Sequence, residues 1–249
     1  MTEQSNTQIP QALRRALDLL TDPPANPDVS KGYLDLLTDD LATGSKPPKN
    51  TGLIQAAWAS GIGSMLYDNA QAFARRVAGV WRLPVEWLNI PSGGVALDVG
   101  SGPGNVTAQL AEAAGAGGLA LGLDISEPML ARAVEAQAGP NVGFMRADAQ
   151  RLPLRAETVD AATSLAVLQL IPNPAQTLAE MVRVLKPGGR MAIMVPTAGN
   201  VGPLLRLLPE GQANFFTEDE LADILEGLGM EGVRSKTLGT FQWVRARKP

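Results

Sequence analysis

From residue 95 to the end of the chain, short apolar runs alternate with segments whose apolar residues recur every three or four positions. The first pattern is typical of buried strands and the second of helices that face a core. Together they predict strands over 95–99, 119–123, 142–146, 159–165 and 190–195, and helices near 104–115, 127–138, 174–186 and 217–228. Strands and helices that alternate in this way form a parallel, doubly wound sheet.

The C-terminal end is predicted to close this sheet differently. Segments 232–238 and 241–247 read as two strands of an antiparallel hairpin around Gly239-Thr240. Upstream, Asn173 precedes Pro174 and is predicted to be the N-cap of the helix that follows. The predicted fold is therefore α/β: a Rossmann-like, doubly wound sheet of seven strands, mostly parallel, with an antiparallel C-terminal hairpin.

The first ninety residues have a different pattern, in which no strand is predicted. Apolar residues recur at helical spacing over 9–20, a short second helix is predicted over 28–41, and a third over 55–78. We therefore expect residues 1–90 to form an N-terminal helical lid or substrate-capping region. Residues 91–249 would then form the Rossmann-like domain.

Composition narrows the chemistry open to this fold. The chain has 249 residues, of which 45% are hydrophobic, so it can bury one good core with an appendage. A formal net charge of −4 argues against a nucleic-acid surface. The absence of cysteine excludes disulfides and thiolate metal sites, and the absence of histidine removes the commonest metal ligand and general base. We expect no bound metal.

Targeting signals are not evident in the sequence. No apolar run approaches the roughly 20 residues that a membrane-spanning helix needs. The polar residues 1–8 lack the cationic and then apolar order of a signal peptide. We expect a cytoplasmic protein without a membrane span.

Three glycines, Gly100, Gly102 and Gly104, follow the first strand of the predicted sheet. Such a turn bends with positive φ and lets the backbone approach a ligand without interference from a Cβ, while the next helix offers unpaired N–H groups. The dinucleotide fingerprint places its last glycine one residue further on, where this chain has Asn105. Asp98 would repel a pyrophosphate but suits an ammonium group or a bound water. The alternative is a tight strand–helix turn with a capping acid.

Asp124 ends the second predicted strand, just over twenty residues after the glycine turn. A carboxylate at this place accepts hydrogen bonds from both ribose hydroxyls. Its alternative role is that of a helix N-cap, because Ser126 and Glu127 open the next helix. Ile125 and Met129 would be apolar neighbours that sandwich an adenine, although each is equally plausible as ordinary core.

Asp148 is the third acid and lies just past the third predicted strand. An acidic side chain with adjacent backbone N–H groups can bind the exocyclic amine and a ring nitrogen of adenine. The alternative is a solvated loop acid.

Residues 95–195 resemble the class I S-adenosylmethionine-dependent methyltransferases, in the branch that includes the quinone- and biotin-pathway methyltransferases. Four segments carry the resemblance: LDVGSGPG at 97–104, GLDIS at 122–126, ADAQRLPL at 147–154 and LKPGGR at 185–190. The resemblance covers the core of the sheet and implies S-adenosyl-L-methionine as methyl donor.

The resemblance also implies roles for single residues. Asp98 and the turn from Gly100 to Gly104 would hold the methionine part, Asp124 the ribose, and Asp148 with the Ala149 backbone the adenine. Ser164 matches a position beside the methionine portion that faces the substrate.

Two further matches lie outside that set. Tyr67, in a Tyr-Asp pair, matches a tyrosine that touches the amino-acid end of the cofactor, or it packs as an amphipathic helix residue. The Lys-Pro-Gly-Gly segment at 186–189 is predicted to be a structural helix C-cap that lets the next strand begin.

The function implied is transfer of a methyl group to a small acceptor, with O- or C-methylation favoured and no catalytic residue assigned. Five side chains would wall an apolar pocket, unless they are plain core, so an apolar or lipid-like acceptor is expected; they are Trp58, Met65, Phe73, Trp81 and Trp87. The segment SLAV at 164–167 argues against amino methylation of nucleobases. The alternatives are a catalytically silent cofactor-binding or interaction protein and, with the wrong glycine spacing, a nicotinamide-dependent oxidoreductase. The oligomeric state is left open.

Overall fold

The structure is a computed structural model that describes residues 9–37, 85–197, 214 and 216–249. Its α-helices are α1 (Gln11–Leu17), α2 (Val85–Leu88), α3 (Asn105–Ala114), α4 (Glu127–Gln137), α5 (Pro174–Val184) and α6 (Glu220–Gly227), with a 3-10 turn over Leu168–Leu170. Its strands are β1 (Leu34–Asp35), β2 (Val95–Val99), β3 (Leu119–Asp124), β4 (Val142–Arg146), β5 (Val159–Leu165), β6 (Leu185–Pro196), β7 (Glu231–Leu238) and β8 (Phe241–Arg247).

These strands form one sheet in the order β1-β4-β3-β2-β5-β6-β8-β7. Strands β1 to β6 pair in parallel, whereas β8 runs antiparallel to both β6 and β7. The doubly wound sheet and its antiparallel C-terminal hairpin are thus confirmed. The described residues form eight strands where seven were predicted, and the additional strand is β1.

The helix predicted over 28–41 is wrong over its described part, 28–37. Leu34 and Asp35 pair in parallel with the end of β4 instead. Asp28 Oδ1 accepts a hydrogen bond from Ser30 N at 3.0 Å, which makes an Asx turn that no helix follows. Gly32 then adopts a positive φ of 80°. A two-residue strand carries no periodicity, so the pattern of the sequence could not reveal it.

The bounds of α5 and β6 also differ from the prediction. Helix α5 ends at Val184, and the extended Leu185 is its C-cap. Strand β6 already begins at Leu185 and includes the Lys-Pro-Gly-Gly segment, so that segment is not the helix C-cap. The N-cap of α5 is as predicted, since Asn173 Oδ1 accepts a hydrogen bond from Gln176 N at 3.1 Å.

Two apolar layers cover the two faces of the sheet. Helices α1, α5 and α6 bury Leu13, Leu178 and Leu221 on one face. Helices α2, α3 and α4 cover the other face, where Phe144 of β4 packs with Leu110 and Leu130. Residues 9–37 therefore contribute to the same core as the sheet. Among the described residues, no helix is long and apolar enough to cross a membrane.

The far edge of the sheet is formed by β7, whose residues are exposed except for the half-buried Val233. Its pairing with β8 shifts register between Glu231 and Arg234. On one face of neighbouring β6 and β8, Arg190 and Arg245 stack against the ring of Trp87, at 5.4 and 5.1 Å from its centroid. These contacts anchor α2 to the antiparallel end of the sheet.

Candidate functional site

The site lies where the order of the strands reverses. The chain proceeds from β2 to β3 and β4 on one side, and then returns to place β5 on the other side of β2. Loops that leave β2 and β5 therefore diverge and open a crevice at the carboxyl ends of these strands. In open α/β sheets, ligands bind at this switch point.

The glycine turn forms one wall of this crevice. Gly100, Gly102 and Gly104 have φ values of 77°, 50° and 82°. The amides of Gly100 and Ser101 both donate to Leu123 O, at 2.7 and 3.0 Å, and so hold the turn against the end of β3.

The three glycines differ in what a side chain would meet. A Cβ on Gly100 would lie 2.2 Å from Val167, in the loop after β5, and one on Gly104 would lie 2.7 Å from Phe144. A Cβ on Gly102 would meet no atom of the described residues within 4 Å. Gly102 is thus the member of the turn that faces open space, where a ligand can approach the backbone.

Asp98 lies beneath this turn and is 2% exposed. Its Oδ2 accepts a hydrogen bond from Thr107 Oγ1 at 2.7 Å and its Oδ1 accepts one from Thr163 Oγ1 at 3.1 Å. Burial raises the pKa of Asp98 to about 6, although both hydroxyls act to lower it. Asp98 therefore holds a proton below about pH 6 and is largely ionised near pH 7, where its carboxylate can pair with a cation.

The two threonines were missed by the sequence analysis. Thr163 is the direct register partner of Asp98 across β2 and β5. Thr107 lies in the first turn of α3, three residues after Gly104. The role of Thr163 is visible only once the pairing of β2 with β5 is known, and that of Thr107 only once the path of the glycine turn is known.

Asp124 holds the loops on both sides of the site. Its Oδ2 accepts a hydrogen bond from Gly102 N and its Oδ1 accepts one from Ser126 N, both at 2.8 Å. Ser126 is the N-cap residue of α4, with no side-chain cap. Burial raises the pKa of Asp124, and the backbone hydrogen bonds oppose this. Each carboxylate oxygen retains a lone pair that can accept from a ligand hydroxyl.

Asp148 follows β4 and is half-buried. Its Oδ1 accepts hydrogen bonds from the backbone and side-chain nitrogens of Gln150, at 2.9 and 3.2 Å. Ala149, between them, packs partly against the core. Asp98, Asp124 and Asp148 thus end or follow three adjacent strands, β2, β3 and β4.

The remaining candidate residues are spread more widely. Ile125 and Met129 are half-buried in the loop after β3 and in the first turn of α4. Ser164 is 0% exposed, and its hydroxyl has no hydrogen-bond partner among the residues that the structure describes. Tyr67 lies outside the described residues, as do Trp58, Met65, Phe73 and Trp81.

The loop after β5 is under backbone strain beside the glycine turn. Ala166 has a φ of 58°, which is unfavourable for a residue with a Cβ. Its carbonyl accepts a hydrogen bond from Gln169 Nε2 at 2.7 Å, and its amide donates to Met194 O at 2.8 Å. These bonds keep Val167 against Gly100.

The polar groups around the crevice fit S-adenosylmethionine. That ligand offers hydrogen-bond donors at its ammonium, ribose hydroxyls and adenine amine, and this chain offers three carboxylates. The hydroxyl of Ser101, inside the glycine turn, is buried and has no hydrogen-bond partner in the described part of the chain. Within 9–37, 85–197, 214 and 216–249, no three acidic, histidine or cysteine side chains are grouped to hold a metal ion.

Comparison with known proteins agrees with this geometry. A family described as "Methyltransferase domain" matches residues 97–193. The chain is 37% identical to a demethylmenaquinone methyltransferase from Shouchella clausii over 118 residues, which are 46% of this chain and 50% of that protein. It is 28% identical to an uncharacterised chloroplastic methyltransferase from Arabidopsis thaliana over 87% of this chain and 66% of that protein.

A solved structure shares the fold as well. The crystal structure of a S-adenosylmethionine-dependent methyltransferase from Aquifex aeolicus is 26% identical, with a TM-score of 0.55 over 66% of this chain and 87% of that one. The chain spans about half the length of the curated quinone methyltransferases that it matches. Over residues 97–193, therefore, the chain carries a class I S-adenosylmethionine-dependent methyltransferase domain that resembles those of the quinone methyltransferases.

Proposed function

We propose that this chain is an enzyme that transfers a methyl group from S-adenosyl-L-methionine to a small, apolar or lipid-like acceptor, with O- or C-methylation favoured. The observation that carries the proposal is the placement of Asp98, Asp124 and Asp148 at the ends of three adjacent strands, beside a glycine turn with open space at Gly102.

Each acid would hold one part of the cofactor. Asp98 would neutralise the ammonium group of the methionine part, and Asp124 would accept from the ribose hydroxyls. Asp148 and the Ala149 amide would bind the adenine. Ile125 and Met129 follow Asp124 closely in the sequence and would flank the adenine ring. The proposed roles of Tyr67 and Ser164 rest on the family resemblance alone.

The bound cofactor supplies an electrophilic sulfonium methyl group. The chain itself would orient the cofactor. Hydrogen bonds to Leu123 O fix the backbone of the glycine turn, and a hydrogen bond to Met194 O fixes the loop after β5. Orientation and exclusion of water can supply much of the acceleration of such a reaction. A phenol or carboxylate acceptor needs little or no protein base, which suits a chain without histidine.

Support for an apolar acceptor comes from the relatives. Two that are more than 35% identical over the domain are named as methyltransferases of naphthoquinones or demethylmenaquinone. Trp87, one of the aromatic residues expected to wall the pocket, instead packs against the core and contacts Arg190 and Arg245. Arg190 pairs with Ala161 at the start of β5, at the end of the strands opposite the crevice, so Trp87 gives no support to an acceptor pocket there.

Calorimetry tests the cofactor assignment. The wild-type chain should bind S-adenosylhomocysteine and S-adenosylmethionine and should not bind NAD. Asp124→Ala should weaken this binding by about 1.5–3 kcal/mol, because a charged acceptor of two hydroxyls is lost. Asp22→Ala, in an exposed loop, is the matched control and should bind as the wild type does. Tight NAD binding without binding of the methionine cofactor would refute the proposal.

A separate screen tests the activity against the catalytically silent alternative. The chain is incubated with S-adenosylmethionine and a panel of naphthoquinols, phenols and hydrophilic amines, and products are found by their added methyl mass. Methylation of the apolar hydroxylated compounds is expected. Turnover of hydrophilic acceptors alone would overturn the acceptor class, and cofactor binding without any turnover would favour the silent alternative.

A further inference from the structure

The loop that carries Asp124 is tied to the N-terminal segment through one half-buried arginine. Arg146 ends β4, and its side chain is 15% exposed. Its Nε donates to Ile125 O at 3.3 Å, and its Nη1 lies 3.0 Å from Glu127 Oε1. The same nitrogen lies 3.2 Å from Asp35 Oδ2, whose side chain is 3% exposed. The guanidinium of Arg146 therefore links Asp35 of β1 to Ile125 and Glu127, in the loop that follows Asp124.

Further contacts reinforce this connection from the N-terminal side. Lys31 Nζ lies 2.6 Å from Glu127 Oε2, and Tyr33 OH lies 3.5 Å from the same oxygen. Leu36 N donates to Arg146 O at 3.0 Å. The hydrogen bond from Lys31 is the main reason that the pKa of Glu127 lies below its usual range. Residues 31–36 thus contact the start of α4 through Glu127 and Arg146.

We propose that Arg146 is a positioning residue for the cofactor site, which makes cofactor affinity depend on the docked strand β1. The inference rests on the proposed function, because it assumes that Asp124 and Ile125 hold the ribose and adenine. Arg146 holds the carbonyl of Ile125 and the carboxylate of Glu127 in place in the short loop after Asp124. Asp124 therefore keeps the orientation in which it accepts from Gly102 N and Ser126 N. Energetic coupling of this kind is reciprocal: the cofactor should in turn stabilise β1.

The chain offers a matched control in Arg155. This arginine also joins the N-terminal segment to the body of the fold, since its side chain donates to the carbonyls of Asp18 and Leu20. It has no contact with the 124–127 loop among its described bonds. Loss of either arginine removes side-chain bonds to the N-terminal segment, an ion pair for Arg146 and bonds to two carbonyls for Arg155. Of the two, Arg146 is the one whose described bonds reach the 124–127 loop.

The experiment compares Arg146→Met, Arg146→Lys and Arg155→Met with the wild type. Affinity for S-adenosylhomocysteine is measured by calorimetry at a temperature where thermal unfolding shows all four proteins folded. We expect R146M to weaken binding about tenfold or more, R146K to restore part of the loss, and R155M to bind within about twofold of the wild type. Hydrogen exchange should show the ligand protecting the Asp35 and Leu36 amides in the wild type and not in R146M.

Each outcome has a distinct meaning. Equal losses in R146M and R155M would show a general effect of N-terminal docking and overturn the inference. Unchanged affinity in R146M, with a wild type that binds, would overturn the inference and leave the proposed function intact. A wild type that fails to bind would overturn the proposed function itself. If R146M does not fold, Glu127→Ala tests the same connection from the loop side, and unchanged affinity there would overturn the inference.

Discussion

At the scale of single residues, Asp98 makes the stability of this protein depend on pH. The pKa of Asp98 rises from 3.8 in the unfolded chain to about 6 in the folded one, because burial disfavours the charged form. Between these values the folded chain holds a proton that the unfolded chain has released. The free energy of unfolding therefore falls as pH rises through that window, by about 3 kcal/mol at most.

Asp98→Asn should remove this dependence. The unfolding free energy of D98N relative to wild type should rise by up to about 3 kcal/mol between pH 3.5 and pH 7, as measured by urea unfolding at both values. Asp22→Asn, on an exposed loop, controls for the general effect of losing a carboxylate. Parallel pH profiles for D98N and wild type would contradict the assignment.

The glycine turn allows a second test at this scale, with one substitution at Gly102 and one at Gly100. Both glycines have a positive φ, but they differ in how much room a new side chain would have. Gly102→Ala should cost about 1–2 kcal/mol of stability through its positive φ alone, and should weaken S-adenosylhomocysteine binding by more than tenfold because the new methyl enters the open space.

Gly100→Ala should cost more stability than Gly102→Ala, because its Cβ would also lie 2.2 Å from Val167. Urea unfolding and calorimetry on both variants separate the two effects. Similar losses of stability in both would show that the loop after β5 yields to the new side chain.

The candidate acids could be predicted because the β–α turns of this fold carry them at recognisable spacings. Thr163 and Arg146 could not, because their roles arise from contacts between elements distant in sequence. Thr107 could not, because only the folded glycine turn brings the first turn of α3 back to Asp98. A threonine in a strand or an arginine at a strand end is also common without any role in a site. The placement of Asp98, Asp124 and Asp148 side by side required the strand order.

At the scale of elements, the start of α5 tests how much one cap contributes. Asn173 Oδ1 accepts from Gln176 N at 3.1 Å, and Asn173 N donates to Gln150 Oε1 at 3.1 Å. Asn173→Ala should lower the unfolding free energy by about 1 kcal/mol. Asn173→Asp keeps the acceptor and should recover most of the loss. Urea unfolding measures both, and an N173A variant as stable as the wild type would show that water replaces the cap.

The long elements were predictable for the same physical reason that makes them stable. The strands from β2 to β5 lie within a residue of the predicted bounds because continuous apolar runs must be buried on both faces of a parallel sheet. Strand β1 could not be predicted in this way, because its two residues are extended only through their pairing with Met145 and Arg146. The start of β6 at Leu185 could not be predicted either, because proline and glycine there mimic a helix end.

At the scale of the whole molecule, residues 9–37 share one core with the sheet. Leu13 of α1 is 1% exposed and belongs to the same apolar cluster as Leu121 and Met145. Leu13→Ala should therefore destabilise the entire fold, by about 2–4 kcal/mol. Tryptophan fluorescence and circular dichroism should report one coincident transition at a lower urea concentration. Two separate transitions would show that the N-terminal segment unfolds on its own.

The exposed edge strand β7 also affects whether separate molecules associate. Its outer backbone groups lie at the end of the described sheet and could pair with a strand of another molecule, the first step of aggregation. Arg234 and Lys236 place positive charge along that edge, and the register shift after Glu231 breaks its regular spacing. A second copy approaching edge to edge would bring like charges together across an irregular ladder. We therefore expect β7 to keep the protein dispersed at high concentration, and neutral substitutions at Arg234 and Lys236 to promote self-association.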